Sequence, residues 1–218
     1  MQEQAVTALA AVADAADTLF AQYYDQLMPL LKQLFTQADG AEYRMLRGKC
    51  LECISLFGMA VGRERFMYDA GEVMRTMLSM DIQNMAADDP QVGYILQSSG
   101  RICATIKRDF AVFLPALMPM LLRNAAISPD PVAVDASVDV DQLEGYEFLT
   151  VGSKKVGIKT AGLEDKHTAC SLLYTFADEL GELFHPYLHD TAAILVPLCT
   201  FYYHEDVMTV ATQTMPLL

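Results

Sequence analysis

Residues Phe184–Leu218 read FHPYLHDTAAILVPLCTFYYHEDVMTVATQTMPLL. The first half carries apolar residues at helical spacing, and a second helix begins near Glu205. The same design occurs twice upstream, as QYYDQLMPLLKQLF from Gln22 and FAVFLPALMPMLL from Phe110. Each copy has an aromatic start, an apolar-Pro-apolar step and a run of Leu or Met. Recurrence of one helical unit points to an array whose members bury their apolar faces against each other. The pattern predicts core positions at Phe184, Leu188, Leu195, Leu198 and Tyr202. It also predicts that the helix beginning near Glu205 lacks a partner and leaves an apolar face uncovered.

The rest of the chain fits this unit. Residues 3–16 are Ala-rich with strong helix propensity. A second helix is expected over Ala21–Gln37, with Pro29 kinking it or shifting its start, and Asp39-Gly40 is a turn signal. The next helix, Glu42–Val61, is apolar around nearly its whole circumference, which predicts packing on several sides. After Gly62 comes a helix over Glu64–Ile82. Its stripe is Phe66, Ala70, Val73, Met74, Met77 and Leu78, with Asp69, Glu72, Thr76 and Ser79 opposite. Asp88, Asp89 and Pro90 open a helix to about Lys107, followed by Phe110–Ala126. Residues 127–160 break the pattern: an acidic linker precedes YEFLTVGSKKVGIKT, which reads as a short hairpin or an extended packed segment. Helices resume over Ala161–Leu180 and Phe184–Tyr203. The expected units are therefore 2–37, 42–82, 88–126, 161–203 and a partial unit 205–218, with an acidic insertion at 127–160. Their spacing of roughly 40 to 47 residues is the HEAT period. The fold class is all-α, a HEAT-repeat α-solenoid forming a right-handed superhelix of antiparallel helix pairs. Helical pattern at both ends suggests a piece of a longer array.

Among the 218 residues, 53% are hydrophobic and the formal charge is −13. So acidic a chain is a poor ligand for nucleic acid, whose phosphates need Lys and Arg, and a good one for a basic partner. The apolar run Phe110–Leu122 is too short to span a bilayer. Five cysteines, an odd number, with no signal peptide indicate free thiols in a reducing compartment.

No motif supports catalysis, and neither cofactor nor metal is expected. Cys50 and Cys53 lie within a helix with no second pair, and zinc needs more ligands. His185 and His189 have Pro186 between them and no adjacent Glu, unlike a zinc-binding helix. Gly152–Lys155 lacks the spacing of a phosphate loop. The Arg44, Arg47 and Lys49 cluster could meet a phosphate or a carboxylate, or simply form an ion pair with Glu42, Glu52 or a neighbouring unit. The candidate binding residues are acidic. Asp69 and Glu72 share a helix face, and Asp81, Asp88 and Asp89 lie beyond it; together they could take Lys or Arg side chains through charge-assisted bonds. A solvated face is the alternative. The insertion's Asp130, Asp135, Asp139, Asp141 and Glu144 could sample basic tails or act only to extend the chain by repulsion.

Beyond the period, particular words carry a resemblance. RMLRGKCLECISLFGMAVGRERFMYDAGEVM (Arg44–Met74), DDPQVGYILQSSGRIC, VGIKTAGLEDKHTACSLL and the FYYHEDV and MPLL of the opening stretch resemble the importin-β, or β-karyopherin, family. The nearest branch is the importin beta-3, or Ran-binding-protein-five, type, over its central-to-C-terminal repeats. The resemblance implies a monomeric nuclear import receptor that shuttles between cytoplasm and nucleus. It implies basic nuclear-localisation signals of protein cargo as ligands on the second helices. It implies Phe-Gly nucleoporins in apolar crevices of the outer helices, and release by Ran-GTP bound mainly to repeats outside this stretch. It implies no membrane partner. Two other readings stay open: a structural spring that contacts no ligand, and a different HEAT scaffold such as one assembling a phosphatase.

Overall fold

A computed structural model describes residues 1–85, 89–127, 132–134, 146–151, 154–202 and 204–218. Nine α-helices lie among them: α1 (Gln2–Ala16), α2 (Tyr24–Gln37), α3 (Arg44–Val61), α4 (Arg63–Ser79), α5 (Pro90–Ile106), α6 (Leu114–Ala125), α7 (Thr160–Leu180), α8 (Leu188–Leu198) and α9 (Glu205–Thr214). The odd-numbered helices α1, α3, α5, α7 and α9 stack side by side in one row. The even-numbered helices form a second row, and clefts open between neighbouring members. One continuous apolar core runs between the rows, from Val6 to Ala211. This is a HEAT-repeat solenoid.

α3 packs on α1, α2, α4 and α5, as its all-round apolar surface requires. Its crossings depend on small residues. A Cβ on Gly48 would sit 2.4 Å from the Tyr94 ring of α5, and one on Gly58 would sit 2.3 Å from the Phe66 ring of α4. The same device joins α5 to α7, where a Cβ on Gly100 would approach Leu172 to 2.5 Å.

The corners between rows differ from the sequence expectation in an informative way. The helices expected to start near Ala21, Phe110 and Phe184 each begin later. Each is preceded by a seven-residue 3₁₀ turn: Asp17–Tyr23, Lys107–Phe113 and Gly181–Tyr187. The fourth residue of every turn, Phe20, Phe110 or Phe184, is buried. Each packs on the ring at the seventh, with centroids 6.0, 5.7 and 5.8 Å apart. Phe20 also meets Phe57 of α3 at 4.4 Å, and Phe110 meets Phe176 of α7 at 5.2 Å. The aromatic start of the copies at Phe110 and Phe184 is thus a corner peg, whereas the peg of the first copy, Phe20, lies just before the quoted stretch. Pro29 lies within α2, six residues beyond the end of such a corner.

Periodicity also overran one helix end. α8 stops at Leu198, and its last turn tightens, with Cys199 and Thr200 N–H donating to the carbonyls of Val196 and Pro197. Tyr202 therefore leaves the helical stripe and is 80% exposed, whereas Phe184, Leu195 and Leu198 are buried and Leu188 partly so. Likewise α9 does not leave its apolar face open: Val207, Ala211 and Thr214 are buried against α7 and α8.

Between α6 and α7 the chain forms a small antiparallel sheet of β1 (Val132–Val134), β2 (Tyr146–Val151) and β3 (Lys154–Lys159), in the order β1-β3-β2. Tyr146 pairs with Lys159 and Val151 with Lys154, which makes β2–β3 the hairpin read from the alternating, Gly-containing segment. The carboxylates Asp130, Asp135, Asp139, Asp141 and Glu144 lie outside the described residues.

Candidate functional site

The acidic face of α4 is real, but it is already engaged. Lys32 of α2 reaches across the cleft and places its Nζ 2.5 Å from Asp69 Oδ1 and 2.5 Å from Glu72 Oε2. Asp69 Oδ2 accepts from the Tyr24 hydroxyl at 2.6 Å. Burial, and then the bond to Asp69, pushes the Tyr24 phenol well above its ordinary value. Burial pulls Lys32 down, but its bonds to Asp69 and Glu72 outweigh that and hold it above the usual lysine range. The bond from Lys32 holds Glu72 below the usual carboxylate range. Arg65 extends the network, donating to Asp25 at 2.7 Å and the Ala21 carbonyl at 2.8 Å, with its guanidinium 5.1 Å from the Tyr24 ring centroid. The arrangement ties α2 to α4 with charge-assisted bonds. Sequence reasoning missed Lys32; the available signal was its place as the single cation on an otherwise amide-rich α2.

The other candidates divide. Asp89 is buried and caps α5, its Oδ1 accepting from the Gln91 backbone N–H at 2.9 Å and from Gln91 Nε2 at 3.1 Å. Its Oδ2 lies 3.5 Å from Arg44 Nε. Arg47 donates to Gln91 Oε1 at 2.8 Å and to the carbonyls of Ala38 and Gly40 at 2.6 and 2.9 Å. It thereby satisfies acceptors just past α2, where a helix leaves carbonyls unpaired. Lys166 of α7 does the same after α6, donating to Ala125 O at 2.5 Å and Ile127 O at 2.9 Å. Asp81 is exposed and, among the described residues, its carboxylate accepts from Asn84 alone, at 2.9 Å to both oxygens. Asp81, Asp89 and Asp39 border a cleft of about 660 Å³ whose walls include Arg44, Arg47, Met80 and Phe35. Asp88 lies outside the described residues. Of the described acidic candidates, Asp69 and Glu72 are bridged by Lys32, whereas Asp81 and Asp89 border the cleft beyond α4.

A different feature lies on the first-helix row. A crevice of about 400 Å³ lies between α5 and α7, with Met59 of α3 also along its edge. Gly100, Ala104 and Leu172 line it together with the polar Gln97, Arg101, His167, Thr168, Ser171 and Thr175. Arg101 Nη1 is buried in protein without a hydrogen-bond partner among the described residues.

Nothing in the described residues gathers three or more metal-ligating side chains. His185 and His189 are both exposed. Cys50, Cys53, Cys103 and Cys170 are free and buried; burial pushes the Cys50 and Cys103 thiols up to about 12 and Cys170 to about 11. No helix of the described residues is long and apolar enough to cross a membrane.

With that geometry in place, comparison with known proteins gives a consistent answer. No protein-family model matches the chain. Importin subunit beta-3 of Saccharomyces cerevisiae is 33% identical over 221 residues, covering 100% of this chain and 20% of that protein. The probable importin-5 homolog of Dictyostelium discoideum is 26% identical over 216 residues, covering 99% of this chain and 19% of that protein. Among solved structures, Kap121p bound to Pho4p superposes with a TM-score of 0.84 at 33% identity, over 99% of this chain and 20% of that one. Kap121p bound to Nup53p superposes with a TM-score of 0.82 over the same shares. The chain thus spans about a fifth of the length of these relatives. Along its whole length, then, the chain is homologous to importin beta-3 and importin-5.

Proposed function

We propose that the chain is a segment of a nuclear import receptor, one that binds proteins bearing basic nuclear-localisation signals and carries them through nuclear pores. Its ligands are protein, and no covalent step is involved. Cargo release by Ran-GTP operates through repeats outside this segment, and the receptor shuttles between cytoplasm and nucleus. The observation that carries the reading is the similarity to importin beta-3 along the entire chain, with the same helical stack as Kap121p in its Pho4p-bound form. The test is a chimera in which this chain replaces the matched fifth of yeast importin beta-3. Nuclear accumulation of a fluorescent import substrate is expected. A folded chimera that leaves the substrate in the cytoplasm sinks the reading.

Within that receptor, this segment acts first as a structural element that transmits curvature. The observation favouring this role is the Lys32 bridge, which occupies Asp69 and Glu72 with an internal cation instead of leaving them for a basic peptide. The crevice between α5 and α7 is our candidate seat for the phenylalanine of a Phe-Gly segment. Its size lies within the ~300–1,000 Å³ of ordinary ligand pockets, and Gly100, Ala104 and Leu172 are part of its lining.

A further inference from the structure

Three ion pairs lie on one edge of the stack, where α1, α3, α5 and α7 turn into the second row. Arg65 pairs with Asp25 at 2.7 Å, Arg63 with Asp109 at 2.5 Å and Lys107 with Glu179 at 2.7 Å. They join α4 to α2, α4 to the corner after α5, and that corner to α7. Every boundary between the first four helix pairs thus carries one rung. In each rung one side chain is more than half exposed: Asp25 at 75%, Arg63 at 53% and Lys107 at 51%.

The opposite edge is tied differently. Arg47 donates to the carbonyls of Ala38 and Gly40, Lys166 to those of Ala125 and Ile127, and Arg123 to that of Gln83. The ion pair Arg44–Asp89 also lies on that edge, with its carboxylate buried. Salt screens exposed charge pairs strongly and buried ones much less, and a neutral carbonyl offers no partner charge to screen. The two edges therefore differ in how they respond to ions. Backbone strain marks the third rung. Lys107 has φ 56 and ψ −133, a conformation that glycine adopts freely and a side chain resists. Gly62 and Gly181 hold the equivalent positions at neighbouring corners, with φ 77 and 52. A glycine would relieve the strain, but it would remove the ammonium that donates to both Glu179 oxygens at 2.7 Å. Strain kept at a residue that supplies such a contact points to a use for the contact.

We infer that this edge is an electrostatic seam: its ion pairs set how far neighbouring helix pairs open, and the opposite edge is the hinge. The first boundary is the firmest, since Arg65 also donates to the Ala21 carbonyl and the Lys32 bridge spans the same boundary. Opening is concentrated at Arg63–Asp109 and Lys107–Glu179. The inference rests on reading the segment as an element that transmits curvature, and it adds the edge and the force.

The test is a double electron–electron resonance measurement on the full chain carrying Cys199→Ser, so that nitroxides attach only to introduced thiols. Leu19→Cys with Leu183→Cys spans the corner edge, and Asp39→Cys with Ala126→Cys spans the opposite one; all four positions are exposed. Between ~0.01 M and ~1 M salt the Debye length falls from ~30 to ~3 Å, and the corner-edge distance is expected to lengthen while the opposite-edge distance holds. With Arg63→Gln and Lys107→Gln together, the corner-edge distance is expected to be long already at low salt and to stop responding. The exchange Arg63→Asp with Asp109→Arg is expected to keep the native response, which separates lost charge from a damaged fold. If the neutralised chain does not fold, the salt response of the native residues decides. If both edges lengthen together, the array loosens as a whole: the seam is wrong and the curvature reading stands. If neither distance responds, the seam is wrong; narrow distance distributions at both edges then remove the curvature reading too, and broad ones leave it standing.

Discussion

Gly58→Ala isolates what holds one helix pair together. The new methyl carbon would lie 2.3, 2.4 and 2.7 Å from three carbons of the Phe66 ring. Carbon atoms in contact prefer ~3.5–4.0 Å, so the ring or the helices must give way by about 1.2 Å. Phe66 is fully buried on α4 and cannot swing aside as an exposed chain end would. Ala is the better helix former by about 1 kcal/mol, but overpacking a tight core costs about 1–3 kcal/mol. With a rigid ring as the obstacle, a net loss of about 1–2 kcal/mol is expected. Urea unfolding followed by circular dichroism reads this as a lower midpoint at unchanged slope. Gly93→Ala is the control: it meets nothing within 4 Å, and about 0.5–1 kcal/mol of stabilisation is expected. In a Phe66→Leu background the cost of Gly58→Ala should largely vanish, giving a coupling energy for the pair. If Gly58→Ala stabilises as Gly93→Ala does, α3 and α4 do not pack through this contact.

Further outcomes follow from other sites. Lys107 has φ 56 at a corner where the equivalent Gly181 has φ 52. Lys107→Gly and Lys107→Ala both lose the pair with Glu179, yet Gly is expected to be the more stable by about 1 kcal/mol in thermal melts. Asp89→Ala removes an N-cap and its bonds to Gln91, for a loss of about 1–2 kcal/mol, whereas Asp81→Ala stays within about 0.5 kcal/mol. In labelling with a disulfide reagent, only the partly exposed Cys199 is expected to react before unfolding. The raised thiols are favoured protonated in the fold. Their contribution is intact below the ordinary thiol value of about 8.5 and is lost as pH rises toward about 11 and 12. Alkaline titration of stability is therefore expected to slope downward across that window.

The fold was readable in the sequence because a repeat array writes its core many times over. Phe110 and Phe184 start two of the copies read from the sequence and occupy one structural position with Phe20, which lies two residues before the copy read from Gln22. What escaped was local. The 3₁₀ corners share the aromatic signature of the helices they precede, so a periodic scan merges the two. Tyr202 lies past the end of α8, where spacing no longer predicts direction. The acidic candidates were found as carboxylates on one face, but their partners come from another repeat: Lys32 is 37 residues from Asp69. Local spacing gives no view of such a pair, and the bridge turns a plausible ligand face into an internal tie. Asp89 reads from the sequence both as the start of a helix and as a ligand for basic side chains; the first reading matches its place as the buried cap of α5, and its burial could not be read from spacing.

The central claim is that this is an import-receptor segment whose α4 carboxylates hold the stack together and do not grip cargo. The direct measurement is the affinity of a fluorescent Lys-rich signal peptide for the importin beta-3 chimera, at low and physiological salt. It is made with and without the triple change Lys32→Met, Asp69→Asn and Glu72→Gln, which removes the bridge from both sides. The account predicts the same affinity and the same salt slope for both forms. A ten-fold or greater loss of affinity in the triple variant, with a shallower salt slope, would contradict it and place Asp69 and Glu72 on the cargo.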